Sequence, residues 1–417
     1  MFAALVLPST ISLFGAPATP PTYAKQVSRI VETHCTACHH SGGVAPFSLT
    51  NYDEVSAFAT EIRRATQSRK MPPWFAVPGH GEFQNQRQLT VEEIKTLGDW
   101  SDSGTPLGDT KDLPPPSVRD AGWAYGQPDV ILTPKKPYQV ARSGGEEVRC
   151  FVTPYSFSGS KAIRAIDVRP GDPGVVYHVR AFADTTGSAR RLEAQDSESG
   201  FDCSQNMESV LTQKLLGEWE VGNTFAPLPD GLGRSLPKGA DIVLEIHYHR
   251  TFRPASDQTK VAFYFQHQPV RHDVRTVTII HRDLRIPPGK ADYQAVAEWT
   301  STKNILALGV TPHMHRQGTA VRVSASAPGE PPRDLLWVNR YNFRWQTAYM
   351  FKEPILIRKG TTVRVEASYD NSNQNMNLDP REPLHEVLWG NGPQDEMLAV
   401  FLEYVEAKGS ARPRRVQ

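Results

Sequence analysis

Two groups of side chains in this 417-residue chain have the types and spacing for redox chemistry. The first is Cys35-Thr-Ala-Cys38-His39. Thiols at i and i+3 lie on one helical turn, and the next residue adds an imidazole. This is the pattern for covalent attachment of one c-type haem, in which the sulfurs reach the two vinyl groups and His39 becomes the proximal iron ligand. Half of a zinc site or a redox C-x-x-C would use the same cysteines. Zinc needs a second cysteine pair close by, and the remaining cysteines, Cys150 and Cys203, are far along the chain. The expected sixth iron ligand is Met71 in Arg69-Lys-Met-Pro-Pro-Trp74, because a thioether held by a rigid Pro-Pro turn raises the potential and blocks exchange. His40 and His80 are the alternatives. The second group is Thr311-Pro-His-Met-His315. On an extended strand His313 and His315 point to the same face and can share one metal ion, and His247 and His249 repeat the spacing.

The elements that must position these groups differ between the two ends of the chain. Helical patterns run from about Val27 to His34 and from Asp53 to Ser68, and a capping box at Thr90 opens a closing helix through Trp100. Residues 20–107 therefore resemble a compact, all-α class I cytochrome c domain. A Pro-rich linker over 108–127, with Pro114-Pro-Pro116, separates it from the larger C-terminal part of the chain. That part holds alternating segments such as Ala162–Val168, Ile242–His249, Thr319–Val323 and Thr362–Tyr369, bounded by Pro, Gly and Asp as in antiparallel sandwiches. Thirty-four prolines and thirty glycines agree with many strands joined by turns.

Forty-six Lys and Arg balance forty-five Asp and Glu, with no block of one sign, which excludes a nucleic-acid footprint. Residues 1–19 read as a signal peptide or a short anchor: an apolar stretch ends in Ala16-Pro-Ala18 but is broken by Pro8 and too short for a comfortable membrane span. Export to a periplasmic or extracellular compartment is expected, with membrane contact only if that segment is retained. Residues 409–417 form a basic tail.

Seven motifs in the second part of the chain occur in one order: Val148-Arg-Cys150, Val175-Val-Tyr-His-Val-Arg-Ala-Phe182, Leu236-Pro-Lys-Gly239, Leu244-Glu-Ile-His-Tyr-His249, Ile286-Pro-Pro-Gly289, His313-Met-His315 and Gln394-Asp-Glu-Met397. Together they resemble the copper type II, ascorbate-dependent monooxygenases, the group of peptidylglycine α-hydroxylating monooxygenase and dopamine β-monooxygenase, over residues 128 to 405.

The resemblance implies two jelly-roll-like β-sandwiches, 128–275 for electron-transfer copper and 276–408 for catalytic copper, facing each other across a solvent-filled cleft. It implies a copper ion at His313, His315 and Met397, where a soft thioether favours Cu(I), the form that must meet dioxygen. It also maps His178 and His247 to the other copper. Tyr177 stands where the family has an adjacent histidine, so that site binds copper weakly, binds it with Tyr177 or water, or is empty. His249 matches a histidine that the family does not use as a ligand. The same resemblance implies a Cys150–Cys203 disulfide. The expected activity is hydroxylation of an activated C–H bond of a small-molecule substrate with dioxygen, with the fused c-type haem as electron donor and an external reductant or redox protein supplying the electrons. A haem and copper electron carrier without oxygenase activity is the rival. Thr311 and Leu398-Ala-Val-Phe401 replace the groups with which the peptide-amidating members anchor a carboxylate, which argues against a glycine-extended peptide.

Overall fold

The computed structural model describes residues 19–407 except 42, 116–121, 143–146, 154, 156, 158, 204–213, 223–224, 251–252, 379 and 391–393. Almost all of the expected leader and the whole basic tail lie outside the described residues. Among the described residues, no helix is long and apolar enough to cross a membrane.

Helix at the N-terminal end comes in short pieces. A π turn at Tyr23–Val27 runs into Ser28–His34, and Tyr52–Ala57, Ala59–Gln67 and Val91–Asp102 come after it. The capping box forms: Glu93 N–H donates to Thr90 Oγ1 at 3.1 Å, and Thr90 N–H donates to the Glu93 carboxylate at 2.8 Å. The helix expected over 53–68 is interrupted at Phe58, whose ring stacks on Phe47 with centroids 4.0 Å apart. Val27, Val31, Leu49, Val55, Ile62, Leu97 and Trp100 form a shared apolar core.

The expectation of a self-contained all-α domain over 20–107 needs correction. Trp74, Ala76 and Phe83 leave the helical core and belong to the core of the C-terminal β-body. Pro72-Pro73 cannot donate the backbone hydrogen bonds of a helix. The extended chain beyond them pairs instead, Ala76 with Val338 and Phe83 with Phe351, and Val77 N–H donates to Trp337 O at 2.7 Å. The rings of Trp74 and Phe83 pack on Tyr349 at 5.0 and 5.3 Å.

The rest of the chain is mostly antiparallel sheet. The first body stacks two five-stranded sheets. One runs Phe201–Asp202, Glu147–Val152, Asp241–Tyr248, Val176–Asp184, Lys214–Glu220 in spatial order; the other is built on Lys161–Arg169 and Lys260–Phe265. Ile163, Val179, Ala181, Ile242, Leu244 and Phe263 fill the space between. The second body stacks two four-stranded sheets. Its inner strands include Ile305–His313 and Ala399–Glu406 on one side, Gly318–Ser326 and Thr362–Tyr369 on the other. Three of the four segments read as strands from sequence fall within strands, and Ile242–His249 does so up to Tyr248. Cys150 and Cys203 are joined in a disulfide.

Two strands of the first body, Val176–Asp184 and Asp241–Tyr248, are buried at every position. Their sequences alternate apolar with polar, which normally marks one face turned to water. Here the polar face is covered by the second body. Arg234 binds Glu403 across the join through a two-pronged contact at 2.8 to 3.2 Å. Thr347 Oγ1 donates to the buried Glu220 at 3.0 Å.

Truncating Trp74 to Ala removes an apolar ring from the second core and is expected to cost about 3–5 kcal/mol. Urea denaturation of the variant measures this. A loss below about 1 kcal/mol would show that residues 74–85 lie on the second body without stabilising it.

Candidate metal centre

The candidate ligands gather where the two sandwiches meet. His178, Arg180 and Phe182 alternate along one strand and Val243, Glu245 and His247 along its neighbour, in the register His178 to His247 and Arg180 to Glu245. All of these lie on the face opposite the Ile242 and Leu244 core. Tyr177 would point the other way in a regular strand, but the register shifts between Val176 and His178. This bulge places two consecutive residues opposite His247. The Tyr177 ring stands edge-on to His247 at 5.8 Å, and the His178 ring lies 4.9 Å from it.

Facing them is the strand Ile305–His313. The rings of His313 and His315 are 5.3 Å apart and perpendicular. His313 pairs with Ala399 and Thr311 with Phe401 on the neighbouring strand. Just before the partner strand, Met397 packs towards the first body, as Phe401 does, while Leu398 and Val400 turn into the second core. Met397 is fully buried, in one apolar cluster with Phe182, Val243 and Val152 of the first body. The two faces also touch through Thr311, which donates to Glu218 at 3.5 Å, and through Arg180, 5.7 Å above the Phe401 ring.

Hydrogen bonds at one ring nitrogen decide what the other can do. The Gln346 amide nitrogen donates to Phe343 O, so its oxygen accepts from His313 Nδ1–H at 2.6 Å. That leaves the His313 Nε2 lone pair buried and without a partner. His315 Nδ1 donates to Asp395 O at 2.8 Å, which again reserves Nε2. His247 gives its Nε2–H to Glu245 at 2.6 Å, and His178 keeps a buried, unpartnered Nδ1. Two imidazoles with reserved lone pairs and a thioether in the same join fit a copper ion at His313, His315 and Met397. Among the described residues no three His, Cys, Asp or Glu side chains group as a metal site. His178 and His247 therefore form a pair flanked by Tyr177, not a three-histidine set. His249 lies beyond the strand end and is exposed.

Burial decides the charge states. It drives His313 well below the usual histidine range, with His315 and Arg180 pushing the same way. It also lowers His247 to about 4, against the pull of Glu245. Burial disfavours the Glu245 carboxylate too, but Arg180 and His247 outweigh it and hold the acid far below its ordinary range. Glu396, fully buried, is raised by its burial. Its carboxylate accepts from the backbone N–H groups of His315, Gln317 and Met397, the last two at 3.0 and 2.7 Å. It thereby ties the His-x-His turn to the segment that bears the thioether. The sequence reading missed Arg180, Glu245, Gln346 and Glu396. Period-two spacing from His178 and His247 could have found the first two; the others emerge only from the fold.

The solvent-filled cleft implied by the resemblance is not what the fold shows. His178, His247 and His313 are only 3, 3 and 4 % exposed, because Phe182, Phe401 and Met397 fill the join.

At the N-terminal motif Cys35 and Cys38 are not joined to each other. Burial, with Cys38 adding to it, pushes the Cys35 thiol up to about 12. A thiolate for zinc or disulfide exchange is disfavoured there, while a neutral sulfur is accommodated. His39 Nδ1 donates to Phe47 O at 3.1 Å, which reserves Nε2 as an axial donor. These residues fit a covalently held haem. Met71 is 37 % exposed and stands outside the helical core. His80 Nδ1 is hydrogen-bonded to the Asp334 carboxylate of the second body.

With His313 and His247 neutral in the fold and an ordinary value of 6.5 when unfolded, the unfolded chain takes up protons first as pH falls. Through His247 the metal-free protein should lose up to about 1.4 kcal/mol per pH unit between pH 6.5 and about 4, and His313 adds to the loss as pH falls below 6.5. Urea midpoints at pH 7, 6 and 5 measure the slope, which should shrink in His313→Gln. An identical slope in that variant would contradict the assignment.

Residues 274–412 match the model of the family described as copper type II ascorbate-dependent monooxygenase, C-terminal domain. Among solved structures, the major capsid protein P2 from bacteriophage PM2 aligns at 12% identity over 67% of this chain and 98% of that one, with a TM-score of 0.25. The infectious bursal disease virus VP2 subviral particle aligns at 8% identity over 70% and 74%, with a TM-score of 0.18. Scores this low bear on neither fold nor function. The matched segment includes His313, His315 and Met397, and the match suggests a copper monooxygenase-like function.

Proposed function

We propose that this protein is a copper-dependent monooxygenase that hydroxylates an activated C–H bond of a small molecule with dioxygen, and that a fused c-type haem feeds it electrons. The observation that carries this reading is the buried, unpartnered Nε2 of His313 beside His315, in the join into which Met397 packs, inside the segment matched by the family model. His313, His315 and Met397 would hold the catalytic copper, with Gln346, the Asp395 carbonyl and Glu396 fixing their orientation. Copper bound there supplies the one-electron redox chemistry by which dioxygen is activated. The join excludes water, and Phe401 and Phe182 give it an apolar wall suited to an apolar substrate. Cys35, Cys38 and His39 would hold the haem, with Met71 as its expected sixth ligand. An external electron donor completes the turnover. A covalent haem and a Cys150–Cys203 disulfide suit a periplasmic or secreted location.

A haem and copper electron carrier is the second reading. The 4 % exposure of His313 favours it, since a substrate reaches that ring only if the two sandwiches part.

Metal analysis with dioxygen uptake separates the two. The wild type should carry covalent haem and catalytic copper, and the reduced protein should consume dioxygen faster when a substrate is added. Met397→Ala should lose one copper per chain and that stimulation, with haem intact. Unchanged copper content in Met397→Ala would overturn the site, and copper without substrate-stimulated uptake across a panel of small apolar substrates would favour the carrier.

A further inference from the structure

The Cys35–His39 motif and the His178 strand belong to different bodies, and they meet at Gly222. Gly222, at the end of the strand Lys214–Glu220, has φ +73, and a Cβ built on it would stand 2.6 Å from Cys38 Sγ. No side chain fits between that sulfur and this stretch of backbone. The next residue back, Val221, donates its N–H to Tyr177 O at 3.0 Å. The carbonyl carbon of Tyr177 is bonded to the nitrogen of His178. From Cys38 Sγ to the His178 backbone there is thus one van der Waals step, a short stretch of backbone and one hydrogen bond.

Arg87 reinforces the join. Its Nη1 donates to Val221 O at 3.3 Å, and its Nη2 reaches both Pro73 O at 3.3 Å and the buried Glu220 carboxylate at 3.4 Å. Pro73 is two residues from Met71, so the expected sixth-ligand loop is tied to the same Val221. Beside the contact opens a cavity of about 360 Å³, with Ala37, His40 and Val44 on the motif side and Arg169, Trp219 and Gly222 on the other.

We propose that the seam of Cys38, Gly222 and Val221 is the intramolecular electron entry of this protein, where the haem-bearing segment docks on the strand that leads to His178. The inference rests on the proposed function, in which haem attached at Cys35 and Cys38 feeds electrons to copper held in the join that this strand lines. One electron leaves ferrous haem and reduces a cupric ion, so that iron is oxidised from Fe(II) to Fe(III) and copper reduced from Cu(II) to Cu(I). A soluble one-electron donor, a small redox protein or ascorbate, then returns the haem to the ferrous state. Gly222 and Val221 are positioning residues in this scheme, since they touch neither metal.

The test compares Gly222→Ala with Gly239→Ala. Gly239 has φ +76 and nothing within 4 Å of a built Cβ, so both variants strain the backbone alike and only the first disturbs the seam. Arg87→Lys, which keeps the charge beside Glu220 and loses the fork to Val221 and Pro73, is a second probe. The readout is haem absorbance after ferrous, copper-depleted protein is mixed anaerobically with Cu(II), recorded at several protein concentrations. In the wild type the phase should be independent of protein concentration, and Gly222→Ala should slow it several-fold while Gly239→Ala leaves it unchanged. Arg87→Lys should slow it in the same direction. Equal rates in Gly222→Ala and Gly239→Ala overturn the seam. A wild type without covalent haem, or with haem that Cu(II) does not oxidise, overturns the haem and copper reading beneath it as well.

Discussion

The arrangement depends on a polar face buried between two β-sandwiches. Imidazoles, an arginine and two glutamates that would ordinarily look into water are shut against the second body. Burying such groups is costly unless each finds a partner. Arg180 and His247 share Glu245, Gln346 and the Asp395 carbonyl take the Nδ1–H of His313 and His315, and Glu396 gathers three backbone donors. Left without a partner in this join, among the described residues, are His313 Nε2, His178 Nδ1 and one carboxylate oxygen of Glu245. All three are electron-pair donors, as a bound cation requires.

The same constraint shapes the strands. A sheet covered on both faces loses the freedom to slip, because moving its register by one residue would exchange His178 and Arg180 for Val179 and Ala181 on the polar side. The bulge at Tyr177 is the exception that brings two neighbours to one site. Trp74 and Phe83 extend the logic to the N-terminal region, whose loop is built into the second core. The N-terminal region is thereby held to the second sandwich by packing, while the chain after it leads into the first.

Much of this was legible in the sequence because it depends on local periodicity. Thr90 and Glu93 spell a capping box, His313 and His315 share a face at a spacing of two, and the alternating segments became strands. Features that depend on distant packing were hidden. Alternation in Val176–Asp184 looks the same whether its polar side meets water or a second domain, so the closed join could not be read. Nothing local to Trp74 says that its ring will find Tyr349, almost three hundred residues away, so a self-contained helical unit was the natural and mistaken reading. Gln346 and Glu396 carry no motif and acquire meaning only from the atoms they face.

The claim that matters most is that two imidazoles and one thioether converge on one copper ion in the join. X-ray absorption at the copper edge of the protein loaded with Cu(I) tests it directly. A shell with one sulfur and imidazole nitrogens, with the sulfur lost in Met397→Leu, is the predicted result. A first shell of nitrogen and oxygen alone in the wild type would contradict the account.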